Sequence, residues 1–136
     1  MPYPFFNPSF LDNSVPGFIG RIEACWDAET SNDTGGWHAG IRGHGQCAVT
    51  ALIVQDHFGG ELMRGEFAGG SHYWNRLADG TEIDLTASQF DVVPDFAHIA
   101  VRSRNYVLSY PATLRRYELL KARVEAVLAQ AELALA

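Results

Sequence analysis

The stretch Ser71-His72-Tyr73-Trp74-Asn75-Arg76-Leu77-Ala78-Asp79-Gly80-Thr81-Glu82-Ile83-Asp84-Leu85-Thr86 reads as two strands about one turn, and its register decides the fold. Two registers are open. With Asp79-Gly80 alone as a type I′ turn, Ala78 faces Thr81, Asn75 faces Asp84, and His72 points away from Asp84. With Ala78-Asp79-Gly80 as the loop and Gly80 left-handed, Leu77 faces Thr81 instead. His72, Trp74, Arg76, Glu82, Asp84 and Thr86 then share one face. Tyr73, Leu77, Ile83 and Leu85 share the other, with Asn75 as its one polar member. A slip of one residue moves every side chain across the sheet, and only the longer loop segregates the apolar residues. That register sets Asp84 diagonal to His72, at roughly 7–8 Å between backbones, a gap the two side chains can close.

Upstream lies Gly43-His44-Gly45-Gln46-Cys47-Ala48-Val49-Thr50-Ala51-Leu52, a glycine-broken loop running into a helix over 47–58. That helix is apolar almost all round, so it belongs in the middle of a domain, and Gly59-Gly60 closes it. Glu61–Phe67 reads as a strand and Ala68-Gly69-Gly70 as the turn before the hairpin. After the hairpin, Thr86-Ala87-Ser88-Gln89 fits a capping box, and Ala97–Arg104 fits a further strand. On that strand Arg102 and Arg104 face one side, where they could bind an anion, although salt bridges to the surplus carboxylates are the expectation. Phe18, Ile19, Ile22 and Trp26 have helical spacing and predict a first helix near 17–28. Thr30 to Gly45 holds five glycines and reads as a long loop, functional because it leads into Cys47. Residues 1–14, rich in Pro and Asn, read as an extended arm. The last helix spans 110–135, with Pro111 in its first turn. Its apolar stripe comprises Leu114, Tyr117, Leu120, Val124, Val127, Leu128 and Leu135. It should pack along the sheet or cover the first helix, and it offers a surface for homo-oligomer formation.

Residues 1–136 fit one α+β domain: a Cys-bearing helix on a small antiparallel sheet, followed by a long C-terminal helix. With 16 acidic against 10 basic residues, the chain is not that of an obligate nucleic-acid binder. No basic leader and no apolar run long enough to span a bilayer is visible, so the expectation is a cytoplasmic protein with no membrane partner and both cysteines reduced.

A thiol at a helix start feels the positive end of the macrodipole, which favours its thiolate. Cys47 so placed, followed by His72 and Asp84 on paired strands, is an arrangement for thiol catalysis. Cys47 is the nucleophile, His72 the base, and Asp84 the acid that fixes the imidazole tautomer. The oxyanion donors expected are the Cys47 N–H with the Gln46 or His44 side chain, and Trp74 walls the site. Cys25 beside Trp26 reads as a packing residue, and His38, His57 and His98 as surface or satisfied histidines. His44, Cys47 and His72 could ligate one zinc ion, but no second Cys/His pair stands at metal spacing, so neither a metal nor another cofactor is expected. The substrate is an unidentified peptide, amide or small molecule.

The blocks Gly45–Leu52, Gln55-Asp56, Gly59-Gly60-Glu61, Ser71–Leu77 and Glu82–Thr86 resemble the uncharacterised bacterial YunG-like proteins, with similarity continuing over roughly residues 22–125. More distantly, the order of Cys helix, His strand and Asp strand is similar to papain-like and transglutaminase-like thiol enzymes. That likeness implies a papain-like α+β fold and a cysteine hydrolase or acyltransferase acting on an amide or thioester. The competing expectation is a non-catalytic binding module, or a subunit of a larger complex, that keeps the fold.

Overall fold

Alternation in the hairpin is satisfied by a four-stranded antiparallel sheet in the order β3-β2-β1-β4, formed by β1 (Glu61–Phe67), β2 (Gly70–Arg76), β3 (Glu82–Ile83) and β4 (Ala97–Arg102). The computed structural model describes residues 18–90 and 92–135, so the arm expected over 1–14 lies outside the described residues. Asn75 pairs with Ile83 and Arg76 with Glu82, which brings Leu77 opposite Thr81. Leu77 N–H donates to Thr81 O at 2.8 Å, and Gly80 takes a φ of 90°. This is the three-residue loop expected from the apolar pattern. The second strand stops at Ile83 rather than running to 86. There Asp84 Oδ1 accepts from the Thr86 N–H and hydroxyl at 3.1 and 3.2 Å, and such side-chain bonds to nearby backbone compete with a ladder.

Leu62, Tyr73, Leu77 and Ile83 pack on the helix that follows the glycine-rich loop, α2 (Cys47–Phe58), in the main core. Asn75, the polar member of that face, donates from Nδ2 to Ala51 O at 2.9 Å and so pins helix to sheet. The opposite face carries a smaller aromatic cluster of Met63, Trp74 and Phe96, flanked by Phe67, Phe90 and Ile99. Gly65, paired with His72, leaves room for this layer: a Cβ there would lie 2.8 Å from Phe96 Cβ and 3.1 Å from the Trp74 ring. Gly65→Ala is therefore expected to cost about 1–3 kcal/mol of stability through forced repacking. A urea midpoint unchanged from that of the parent protein would contradict this.

The first helix, α1 (Phe18–Cys25), is shorter than expected, yet Trp26 just beyond it stays in the core and donates from Nε1 to Thr50 Oγ1 at 3.0 Å. Ala97–Arg104 does not continue as a strand past Arg102. Ser103 Oγ caps the short helix α3 (Arg104–Leu108) by accepting from Tyr106 N–H. Arg104 thus leaves the sheet and bonds Asp56 Oδ1 at 2.6 Å, Gln55 Oε1 at 2.8 Å and Tyr117 OH at 2.6 Å. The Tyr117 hydroxyl donates in turn to Asp56 Oδ2 at 2.6 Å. Burial and its bond to Asp56 push the phenol up to about 12. This network ties α2 and α3 to the long last helix, α4 (Pro111–Leu135). α4 lies on α1 and α2, and its Tyr117, Leu120 and Val124 are turned into the core. The expected capping box is half-made. Gln89 Nε2 reaches back to Thr86 O and Oγ1, but the Thr86 side chain does not cap the 3-10 turn Ala87–Gln89. Among the described residues, no helix is long and apolar enough to cross a membrane.

Candidate active site

Residues 26–46 wind into an internally bonded loop that delivers Cys47. Thr30 and Ser31 are buried, Ser31 Oγ donates to His44 O at 2.9 Å, and Asn32 N–H donates to Gly45 O at 2.9 Å. Gly45 sits at a φ of 71°, and any Cβ would collide with Ser31 Oγ and Asn32 Oδ1. Only glycine serves both demands at this position. Arg42 anchors the same loop by donating to Glu23 O and Trp26 O, each at 2.9 Å, at the C-terminal end of α1. We expect Gly45→Ala to displace Asn32 and to lower the melting temperature by several degrees. Thermal denaturation followed by circular dichroism reads this directly, and an unshifted midpoint would count against it.

Cys47 is the first residue of α2, so its N–H belongs to the turn whose amides lack intrahelical acceptors. The residue is 7% exposed. Cys47 and His72 line one cleft together, and the thiol lies close enough to the ring to favour its protonated form. On the far side of that ring, His72 Nε2 donates to Asp84 Oδ2 at 2.6 Å, which leaves Nδ1 for Cys47. Both members of the His72–Asp84 pair are buried, at 3% and 2% exposure. The imidazole plane is fixed by Phe96, stacked at 5.3 Å and 3° from parallel, and by the edge contact of Phe90 at 4.9 Å. With its other oxygen held by Thr86, Asp84 has little freedom to turn away.

His72 is raised to about 9. Burial opposes the charge, but the Asp84 bond, the neighbouring Cys47 thiol and the charges of both partners outweigh it. A ring so raised contributes stability that is fully present below its ordinary value of 6.5 and is lost as pH rises through about 9. The melting temperature should therefore fall across that window, and the fall should vanish in His72→Gln. An identical decline in the variant would refute the assignment.

The remaining residues expected at the site are placed differently. Gln46 is 0% exposed and its Nε2 donates to Asp27 O at 2.9 Å, so it braces the loop from inside instead of offering its amide to an oxyanion. His44 lines a cleft with Cys47, but its Nε2 is engaged by Asp33 Oδ2 at 2.9 Å. Trp74 shares the His72 face, as expected. It packs beside the imidazole at 6.0 Å, with Nε1 bonded to Glu82, and lines a small interior void with Cys47 and Asp84, away from the two larger clefts beside the thiol. Cys25 is a buried core residue, and both cysteines are free thiols. Among the described residues no cluster of His, Cys, Asp and Glu is arranged to hold a metal ion.

Two clefts, of about 270 and 210 Å³, open beside Cys47, and Asn32 and Ser71 line both. Asn32 brings a side-chain amide there. It is a polar loop residue with no motif spacing to Cys47, and only the folding of residues 26–46 brings it to the clefts that Cys47 lines.

The stretch that builds this geometry is also the stretch that carries the chain's kinship. Residues 18–129 match the family described as YunG protein, a span that includes Cys47, His72 and Asp84. The chain belongs to the YunG family. It is similar to the uncharacterized protein YunG of Bacillus subtilis (strain 168), at 32% identity over 78 residues, which are 57% of this chain and 64% of that protein. The chain thus spans less than two-thirds of that YunG protein's length. No solved structure matches it.

Proposed function

We propose that this YunG-family protein is a cysteine hydrolase or acyltransferase working through Cys47, His72 and Asp84. The observation that carries the reading is the buried 2.6 Å bond from the His72 ring to the Asp84 carboxylate, with Cys47 lining the same cleft as that ring. Such an orienting acid is what a thiol nucleophile and its base require. The order of Cys helix, His strand and acid is that of papain-like and transglutaminase-like thiol enzymes, and a papain-like arrangement is part of the proposal.

In the first half-reaction Cys47 Sγ attacks the carbonyl carbon of an amide or thioester. Its S–C bond forms as the C–N or C–S bond breaks, and the proton held on His72 passes to the leaving nitrogen or sulfur. In the second, water or an acceptor amine attacks the acyl-enzyme, yields its proton to His72, and frees Cys47. A ring raised to about 9 and facing a thiol is suited to the first transfer, because it is protonated at neutral pH and so stabilises a neighbouring thiolate. The donors at hand for the oxyanion are the Cys47 N–H and the Asn32 amide.

Incubation with a small acyl thioester, followed by intact-protein and peptide mass spectrometry, tests the proposal. An acyl adduct on Cys47 is expected, removed by Cys47→Ala. A protein that gains no adduct at Cys47 would sink it. The competing reading, a non-catalytic module that keeps the fold, takes its support from the low exposure of Cys47 and predicts that outcome.

A further inference from the structure

The chain carries a formal charge of −6, yet the 270 Å³ cleft leading from Cys47 collects cations. Arg64 and Arg116 line it together with Tyr73, Tyr106 and Tyr110, and among the described residues no Asp or Glu is part of its walls. Arg64 projects from β1 on the face shared with Tyr73 and is balanced from behind by Glu66 at 3.3 Å. Arg116 has no such counter-charge. Among the described residues no carboxylate lies within ion-pair distance of it. Its Nη2 donates only to Thr113 Oγ1 at 3.3 Å, and its Nε is buried with no hydrogen-bond partner. Burial, then neighbouring Arg115, holds this guanidinium below the usual arginine range, whereas charge on Cys47 acts in the opposite sense.

A half-buried guanidinium with an idle donor carries a desolvation cost that an anion in the cleft would offset. Its planar fork suits a carboxylate or a phosphate bound through two oxygens. The Asp56–Arg104–Tyr117 network anchors the turn of α4 that carries Arg116.

We propose that this cleft is an anion subsite, and that the group transferred by Cys47 or its acceptor carries a carboxylate or phosphate that Arg116 and Arg64 bind. As a statement about substrate it rests on the thiol-enzyme reading. As a statement about an anion site it stands alone, and two arms of one experiment separate them.

In the first arm, the full-length Cys47→Ser protein is titrated with glutarate and with inorganic phosphate by calorimetry, with the Arg116 Nε–H resonance followed by NMR. Saturable binding of one anion is expected, weakened at least tenfold on the order of one lost charged contact in Arg116→Gln and partly restored in Arg116→Lys. The tighter probe identifies the anion class. In the second arm, the parent protein is alkylated with iodoacetate and with iodoacetamide, which differ in charge but share a leaving group. The rate ratio at Cys47 should exceed that of the same cysteine in urea by about tenfold, the scale of one such contact, and fall back in Arg116→Gln. Failure of both anions to bind, together with a ratio equal to that in urea, overturns the inference. With the second arm repeated in His72→Gln, Arg116-dependent binding beside a Cys47 whose alkylation is unchanged by that substitution would keep the subsite and discard the thiol enzyme.

Discussion

His72→Gln is expected to slow acylation of Cys47 by on the order of 10²- to 10⁴-fold, the usual worth of a positioned acid–base group. The substitution keeps a polar side chain of similar reach, but it removes both the proton for the leaving group and the cation beside the thiol. Nothing among the described residues takes over. His44, the other histidine at the clefts, is engaged by Asp33. Single-turnover acylation by a small thioester, read by mass spectrometry, measures the effect. A rate within a few-fold of the parent would mean that His72 is only a packed strand histidine.

Asp84→Ala should be the most damaging single change to the fold, at about 3–5 kcal/mol, because it strips the partner from a buried cation. The expected loss is a large share of the 5–15 kcal/mol that hold a typical domain together. Two effects combine. The His72 ring, buried among Phe90, Phe96 and Trp74, loses its 2.6 Å acceptor, and the Thr86 N–H and hydroxyl lose theirs. The deficit should be greatest below about pH 6.5, where His72 is charged in the folded and the unfolded chain alike, and should narrow above about 9, where the parent ring gives up its proton. Urea denaturation of parent and variant across that range checks both claims. A deficit below about 1 kcal/mol, the scale of an exposed pair, would contradict them.

The pairing behind both predictions was legible in the chain. Tyr73, Leu77, Ile83 and Leu85 fall on one face only if Ala78-Asp79-Gly80 forms the turn, and that register alone brings Asp84 within reach of His72. Cys47–Phe58 and Glu61–Phe67 were equally plain, because a continuous apolar run ends at a glycine pair and a strand-like segment follows. Less local features were hidden. α3 holds five residues, too few for a 3.6-residue period to register, and its one signal was the capping Ser103. β3 ends early because Asp84 serves Thr86 and His72 at once, a choice made by side chains and not by strand propensity. The placement of the Gln46 side chain was hidden for the same reason. Adjacency to Cys47 favoured Gln46, but the fold of residues 26–46 buries that amide on Asp27 and carries Asn32, fifteen positions before the cysteine, to the cleft. Arg64 and Arg116 meet there from a strand and a helix that are far apart in sequence, with no spacing to announce it.

The most direct test of the Cys47–His72–Asp84 assignment is the pH dependence of iodoacetamide labelling, read by peptide mass spectrometry separately at Cys25 and Cys47, in the parent protein and in His72→Gln. The expected result is a Cys47 that labels rapidly on the acid side of neutrality, where an ordinary thiol with a reference value of about 8.5 is almost wholly protonated. That labelling should disappear with His72, while buried Cys25 labels slowly in both proteins. A Cys47 that follows the ordinary thiol profile, with or without His72, would contradict the central claim.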